Sequence, residues 1–265
     1  MTREAISGLV ARRAFLRKIG RAATVAGAAV AAGAASLMRK AAAKSESASG
    51  SVSNPIADYD WTKRRWAFGV DATKCIGCLR CVEACKEEND VPRDAHHFRT
   101  WVERYVYLEG EERARVDSQQ DPVNIAASGS EKEYRFANRY RNAKVEKAFF
   151  VPKLCNQCTH PPCVQVCPVG ATYRTEDGVV LIDHDYCIGC RYCVQACPYG
   201  VRYFNEEKGV SDKCTWCYHR ITKGLQPACV EVCPVGARIF GDLDDKQSPI
   251  SQFVRNNRVR VLKPE

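Results

Sequence analysis

Cys155-Asn156-Gln157-Cys158-Thr159-His160-Pro161-Pro162-Cys163-Val164-Gln165-Val166-Cys167-Pro168 is followed, after a short connector, by Cys187-Ile188-Gly189-Cys190-Arg191-Tyr192-Cys193-Val194-Gln195-Ala196-Cys197-Pro198. The first segment reads C-x2-C-x4-C-x3-C-P and the second C-x2-C-x2-C-x3-C-P. The pattern recurs on both sides. Upstream stand Cys75, Cys78, Cys81 and Cys85, spaced C-x2-C-x2-C-x3-C; downstream stand Cys214, Cys217, Cys229 and Cys233, spaced C-x2-C-x11-C-x3-C-P. All 16 cysteines of the 265-residue chain fall into these four groups.

Thiolate sulfur is the soft ligand that iron–sulfur clusters require, and C-x2-C-x2-C-x3-C-P is the spacing in which three cysteines hold one cubane and the fourth reaches a second. Full sets of four predict four [4Fe–4S] centres. By the crossed rule the inner runs give one cluster on Cys155, Cys158, Cys163 and Cys197, and another on Cys187, Cys190, Cys193 and Cys167. The outer runs then pair across them: Cys75, Cys78, Cys81 and Cys233 for one cluster, Cys214, Cys217, Cys229 and Cys85 for the other. Pairing between two chains of a dimer is the alternative for these outer runs.

Two other uses of so many cysteines compete. A disulfide framework does not repeat C-x2-C-x2-C-x3-C-P, and cysteines this close rarely pair with each other. Zinc uses C-x2-C pairs, yet four thiolates within eleven residues (Cys75 to Cys85) would crowd one tetrahedral ion. The formal net charge of +9 suggests a polyanion partner only at first sight. Residues 1–43 hold eight basic residues and one acid and so carry +7 of it. The remainder carries about +2, and oxidised cubanes with four thiolates add roughly −2 apiece, which leaves the loaded protein without residues 1–43 mildly acidic and argues against nucleic acid.

Taken in order, the chain opens with a targeting segment, residues 1–43. Arg12-Arg13-Ala14-Phe15-Leu16-Arg17-Lys18 resembles a twin-arginine export signal, Ala22 to Met38 carries no charge, and Ala41-Ala42-Ala43 offers a cleavage site. Iron–sulfur clusters are assembled in the cytoplasm, so a cluster protein working outside it must cross folded, as twin-arginine cargo does. A linker covers 44–65 and is Ser/Ala-rich to Asn54. Trp66 to Asp71 predicts a strand entering the first cysteine run, and Gly77 and Gly189 fill one slot in two runs, where tight turns aim amide N–H groups at sulfur. The final cysteine of each run is expected on a short helical turn stopped by Pro168, Pro198 or Pro234; Lys86 takes that place after Cys85.

Residues 86–154 lack cysteine and read as an insert. Phe98 to Leu108 predicts a strand, and Glu109 to Arg141 a polar surface excursion. In the connector, Ala171 to Arg174 and Val179 to Asp183 predict a hairpin turned at Glu176-Asp177-Gly178. Gly241 to Asp245 reads as a turn or helix start, and 246–265 as a short basic tail. The fold class is α+β: two fused bacterial-ferredoxin-like modules in a domain spanning 66–245, the outer built from 66–85 with 205–245, the inner from 155–204. Trp216 and Tyr192 lie between ligands, where shielding of a cluster competes with plain packing. His96, His97, His160, His184 and His219 form no catalytic constellation, and no phosphate loop or nucleophile motif is present.

These residues resemble the four-cluster ferredoxin subunit of respiratory oxidoreductases, the electron-transfer subunits of dimethyl sulfoxide, polysulfide and tetrathionate reductases among them. The matching segments are KCIGCLRCVEACKEEN (74–89), CNQCTHPPCVQVCPVGA (155–171), CIGCRYCVQACPYGVR (187–202), KCTWC (213–217) and PACVEVCPVGARIFGDLDD (227–245). The resemblance implies a subunit with no substrate site of its own. It implies relay of electrons between a membrane-embedded quinone-reactive subunit and a molybdenum or multihaem partner. A twin-arginine signal without a C-terminal membrane helix is most similar to the exported nitrite-reduction and sulfite-associated types, periplasmic and held to the membrane through a complex. A free-standing exported polyferredoxin is the alternative.

Overall fold

A strand needs a partner, and the one at the start of this domain finds it near the end of the chain. The structure, a computed structural model, describes residues 59–121 and 136–260. The segment read as an export signal (1–43), residues 44–58 and part of the polar excursion lie outside the described residues, all of which belong to a unit running from Pro55 to Glu265. Strand β1 (Trp66–Val70) follows a 3-10 turn (Trp61–Lys63) capped by the Asp60 carboxylate. The stretch predicted as linker therefore gives way to ordered backbone by residue 59.

Helix α1 (Arg80–Glu88) begins inside the first cysteine run and carries Cys81 and Cys85 on its buried side. It continues past Cys85 because Lys86, unlike proline, keeps its N–H and permits the next turn. Strands β2 (Thr100–Leu108), β3 (Arg115–Ser118) and β4 (Val145–Leu154) form an antiparallel sheet in the order β3-β2-β4. The predicted polar excursion is thus partly a strand. Asp117 accepts two bonds from Arg104 at 3.0 and 2.6 Å, and the fully buried Gln119 accepts the Val102 N–H at 2.8 Å. Hydrogen bonds of this kind offset much of the cost of burying polar groups, which composition alone does not disclose.

The cysteine runs that follow alternate one-turn helices with hairpins. Helix α2 (Pro162–Gln165) precedes β5 (Thr172–Arg174) and β6 (Val180–Ile182). Helix α3 (Tyr192–Gln195) precedes β7 (Arg202–Asn205) and β8 (Val210–Lys213). Helices α4 (Tyr218–Ile221) and α5 (Ala228–Glu231) lead into β9 (Arg238–Asp242). In α2, α3 and α5 the third cysteine sits on the turn. The last cysteine lies just beyond it, because the proline after that cysteine forces an extended backbone on the residue before it.

Strand β9 pairs antiparallel with β1, with Phe68 opposite Phe240 and Trp66 opposite Asp242. Trp66 stacks on Phe240 at 5.1 Å between centroids, and Trp216 meets Phe240 edge-on at 5.6 Å. The turn of the β5–β6 hairpin is tied to this seam through Asp177, which accepts from Tyr59 at 2.7 Å, Trp66 at 3.2 Å and Tyr218 at 3.1 Å. The residues read as a tail contain helix α6 (Pro249–Asn256), capped by Ser248 and seated by a buried Ile250 on β1 and β9. A Cβ at Gly69 would stand 2.8 Å from Ile250 Cδ1, so glycine is what lets the helix approach. Among the described residues no helix is long and apolar enough to cross a membrane.

Lys86 fastens the region between α1 and β2. Its buried ammonium donates to the carbonyls of Pro92, Asp94 and His97 at 2.7, 2.6 and 2.7 Å. Charge-assisted bonds of this kind contribute about 1.5–3 kcal/mol each. Lys86→Met is expected to cost at least about 2 kcal/mol in denaturant unfolding. It is also expected to raise amide hydrogen exchange selectively over residues 91–98; uniform exchange across the domain would exclude a local fastening role.

Candidate metal centres

In each run the residue just before the second cysteine adopts left-handed backbone: Gly77 at φ 67°, Gln157 at 50°, Gly189 at 68° and Trp216 at 55°. This turns the intervening amide inward. The N–H of Gln157 donates to Cys155 Sγ at 3.5 Å and that of Trp216 to Cys214 Sγ at 3.4 Å, and the Gly77 amide likewise serves Cys75. At Gly189 a side chain is further barred, because a Cβ would lie 2.5 Å from the Gly209 carbonyl oxygen. Gln157 and Trp216 accept strained backbone because their side chains are fixed. Gln157 is buried, donating to Cys214 O at 2.9 Å and accepting from Val180 N–H at 2.7 Å, and Trp216 is part of the aromatic core. The sequence signal for both was their alignment with the two glycines. Tyr192, by contrast, is 59% exposed, whereas Trp216 is buried.

Cys75, Cys78, Cys81 and Cys233 line one small hollow together with Arg238. Cys155, Cys158, Cys163 and Cys197 line another together with Arg202. A third gathering places Cys85 among Cys214, Cys217 and Cys229, with the Asn89 amide nitrogen 3.6 Å from both Cys85 Sγ and Cys217 Sγ. In the remaining pair of runs, α2 packs on α3, and Cys163 and Cys193 share a small apolar cluster with Val180. Cys187 and Cys190 stand nearer the surface. Burial raises the Cys167 thiol, but N–H groups of residues 169–172 converge on its sulfur and bring it below its ordinary value.

The donor set fits a cluster better than a single ion. Among the described residues no three His, Cys, Asp or Glu side chains close to single-ion spacing, so the sulfurs bound a hollow and not a point. Burial first, then neighbouring sulfurs, pushes Cys85 well up, Cys214 to about 11 and Cys229 to about 12. These buried sulfurs ionise only when iron replaces their protons, so loading the sites releases protons. Buried cations surround them. Lys213 is fully buried among Cys155, Cys163 and Cys214, and Arg238 faces Cys81, Cys229 and Cys85. The histidines are engaged elsewhere or exposed. His97 bridges Asp94 and Glu206 at 2.6 and 2.8 Å, His219 meets Glu88 at 2.7 Å, His184 lies 3.6 Å from Asp212, and His160 is exposed.

Residues 74–171 match a family model described as a 4Fe-4S dicluster domain, and residues 146–243 match a second with the same description. The sequence is 42% identical to the tetrathionate reductase B subunit of Archaeoglobus fulgidus over 220 residues, 80% of this chain and 86% of that one. It is 38% identical to the tetrathionate reductase B subunit of Salmonella typhimurium, over 77% of this chain and 69% of the relative. It is also 38% identical to the B component of the anaerobic dimethyl sulfoxide reductase of Escherichia coli, over 68% and 75% respectively.

The third cysteine group leans on a buried ion pair. Arg99 Nη2 lies 2.9 Å from Asp212 Oδ2, and Arg99 Nη1 donates to Asn89 Oδ1 at 2.8 Å, which orients the Asn89 amide toward the two sulfurs. Burial raises the Asp212 carboxyl, but bonds from His184 and Tyr203 and the Arg99 charge outweigh it and hold it at about 2. Removing one partner of a buried pair costs about 3–5 kcal/mol because a charge is left uncompensated. Arg99→Met is expected to lose that much in denaturant unfolding, and Arg99→Met with Asp212→Asn to recover part of it. No recovery in the double variant would rule out the ion pair as the cause.

Proposed function

This protein belongs to the family of four-cluster iron–sulfur subunits of reductase complexes, which includes the B subunits of tetrathionate and dimethyl sulfoxide reductases, and we propose how it is wired and with whom it works. It is an electron-transfer subunit whose cofactors are four [4Fe–4S] clusters, which supply one-electron storage and exchange. Our reading is that one cluster is held by Cys75, Cys78, Cys81 and Cys233 and a second by Cys155, Cys158, Cys163 and Cys197. A third is held by Cys187, Cys190, Cys193 and Cys167, and a fourth by Cys214, Cys217, Cys229 and Cys85. The observation that carries this is a hollow lined by cysteines from the two ends of the domain, Cys75 to Cys81 with Cys233.

The same reading nests an inner module, 155–204, within an outer one made of 66–85 and 205–245, with 86–154 inserted. The pairing of β1 with β9 supports it, since that seam closes the outer module around everything between. Arg238 adjoins both the Cys81 and the Cys85 groups, and Lys213 adjoins the Cys155 and the Cys214 groups, so neighbouring sites share a buried cation. The protein's residues thereby set the spacing of the sites, exclude water from them and balance their charge. We place the protein in the periplasm, exported folded through Arg12 and Arg13. There it passes electrons between a membrane-embedded quinone-reactive subunit and a molybdenum or multihaem subunit, with the 86–154 insert as a docking surface.

Three measurements test this. Cys197→Ser is expected to remove or alter one paramagnetic signal while leaving the signal of the cluster on Cys187, Cys190 and Cys193; loss of that second signal instead would reverse the ligand assignment. Anaerobic affinity purification from gently solubilised membranes is expected to bring down a quinone-type membrane protein and a molybdenum or haem subunit. Arg12→Lys with Arg13→Lys should leave the protein in the cytoplasm. Recovery of the unaltered protein alone, in the soluble periplasmic fraction, would replace the complex with a diffusible carrier.

A further inference from the structure

Three of the four cysteine runs end in the same short phrase. Cys233-Pro234-Val235-Gly236-Ala237-Arg238 and Cys197-Pro198-Tyr199-Gly200-Val201-Arg202 both place arginine five residues after the last cysteine; Cys167-Pro168-Val169-Gly170-Ala171-Thr172 places threonine there. The backbone is the same in all three. Gly236, Gly200 and Gly170 are left-handed at φ 61°, 63° and 69°, and residues 238, 202 and 172 each open a strand. The difference therefore lies in the side chain.

Both arginines are buried, Arg238 at 3% exposure and Arg202 at 6%, and each lines one of the two four-cysteine hollows. Arg238 faces Cys81, and Arg202 faces Cys163, the third cysteine of its own hollow in each case. A guanidinium remains charged in proteins, and a buried charge ordinarily has a counter-ion. Yet among the described residues neither arginine forms an ion pair with a carboxylate. Arg238 donates to Thr100 Oγ1 at 2.7 Å and bonds toward the Cys81 sulfur, while its Nε and Nη1 meet no nitrogen or oxygen acceptor. Arg202 reaches Thr172 Oγ1 at 3.4 Å and bonds toward the Cys163 sulfur, and its Nη2 meets no nitrogen or oxygen acceptor. Two buried cations with unspent donors, each beside four sulfurs, are complementary to an anionic occupant.

We infer that Arg238 and Arg202 are fixed counter-charges for the occupants of their own hollows, each raising the reduction potential there. The inference rests on the ligand sets proposed above. Reduction adds one negative charge to the occupant, and a cation held in a water-poor site favours the more negative form. The arginines act through charge on the occupant and take no part in ligation.

The test replaces each arginine by methionine, which keeps length without charge, and by lysine, which keeps charge, and follows each loaded protein by potentiometric titration with paramagnetic resonance and iron analysis. Full iron for four clusters in the unaltered protein secures the underlying reading before any variant is compared. Arg238→Met is expected to make the midpoint of its own hollow more negative, weakening reduction at least tenfold, a shift of about 59 mV for one electron, with a smaller shift of the same sign at the adjoining Cys85 site and the two remaining midpoints in place. Arg202→Met is expected to do the same to a different midpoint, and both lysine variants to stay near the original values. If a methionine variant fails to take up iron while its lysine counterpart loads fully, the charge is needed to hold the occupant and the inference stands. A fully loaded methionine variant with unmoved midpoints overturns it, leaving the cluster assignment intact. A lysine variant that behaves like methionine also overturns it.

Discussion

Gathering sulfur in a core deprived of water is the condition on which this architecture depends. Cys81, Cys85, Cys155, Cys163, Cys193, Cys214, Cys217 and Cys229 are all buried, several in the same cluster as Phe98, Trp101, Trp216 and Phe240. Burial makes Cys85, Cys163, Cys214 and Cys229 hold their protons against ionisation, and thiolates crowded there would repel one another. Iron binding relieves both difficulties, which couples it to folding. The buried Lys213, Arg202 and Arg238 enter the same electrostatic problem, since a site that collects negative charge needs positive charge nearby.

Around that condition the remaining structure works as fastening. Asp177 gathers donors from Tyr59 and Trp66, far upstream of it, and from Tyr218, downstream, and so binds the inner hairpin to the outer strand. Lys86 gathers three carbonyls and Arg99 bridges Asp212 and Asn89. In each, one multivalent side chain organises several backbone or polar groups. That suits a domain whose helices are mostly single turns with little cooperative stability of their own.

The cysteine spacing was legible because ligand chemistry tolerates few alternatives. The strands at 66–70, 100–108 and 172–182 were legible because β-branched and aromatic residues alternate there or flank a glycine turn. What escaped the sequence depends on tertiary partners. Gln157 and Trp216 carry no propensity for left-handed backbone, and adopt it because their side chains are captured. Strand β3 reads as polar because its burial is compensated by Arg104 and by the backbone of β2. Helix α6 is short, and its value as an element comes from two glycines on the sheet beneath it, Gly69 on β1 and Gly241 on β9. The arginines at 202 and 238 look like ordinary surface residues until the hollows beside them are seen.

The seam between β1 and β9 has a consequence for the order in which the molecule is made. Synthesis delivers Cys75, Cys78 and Cys81 early and Cys233 late, so the wall of their common hollow is incomplete until almost the whole domain has left the ribosome. A product cut short before residue 233 has neither the closing strand nor the last cysteine. That one hollow therefore closes only in a product that reaches residue 233, however early its first three cysteines are made.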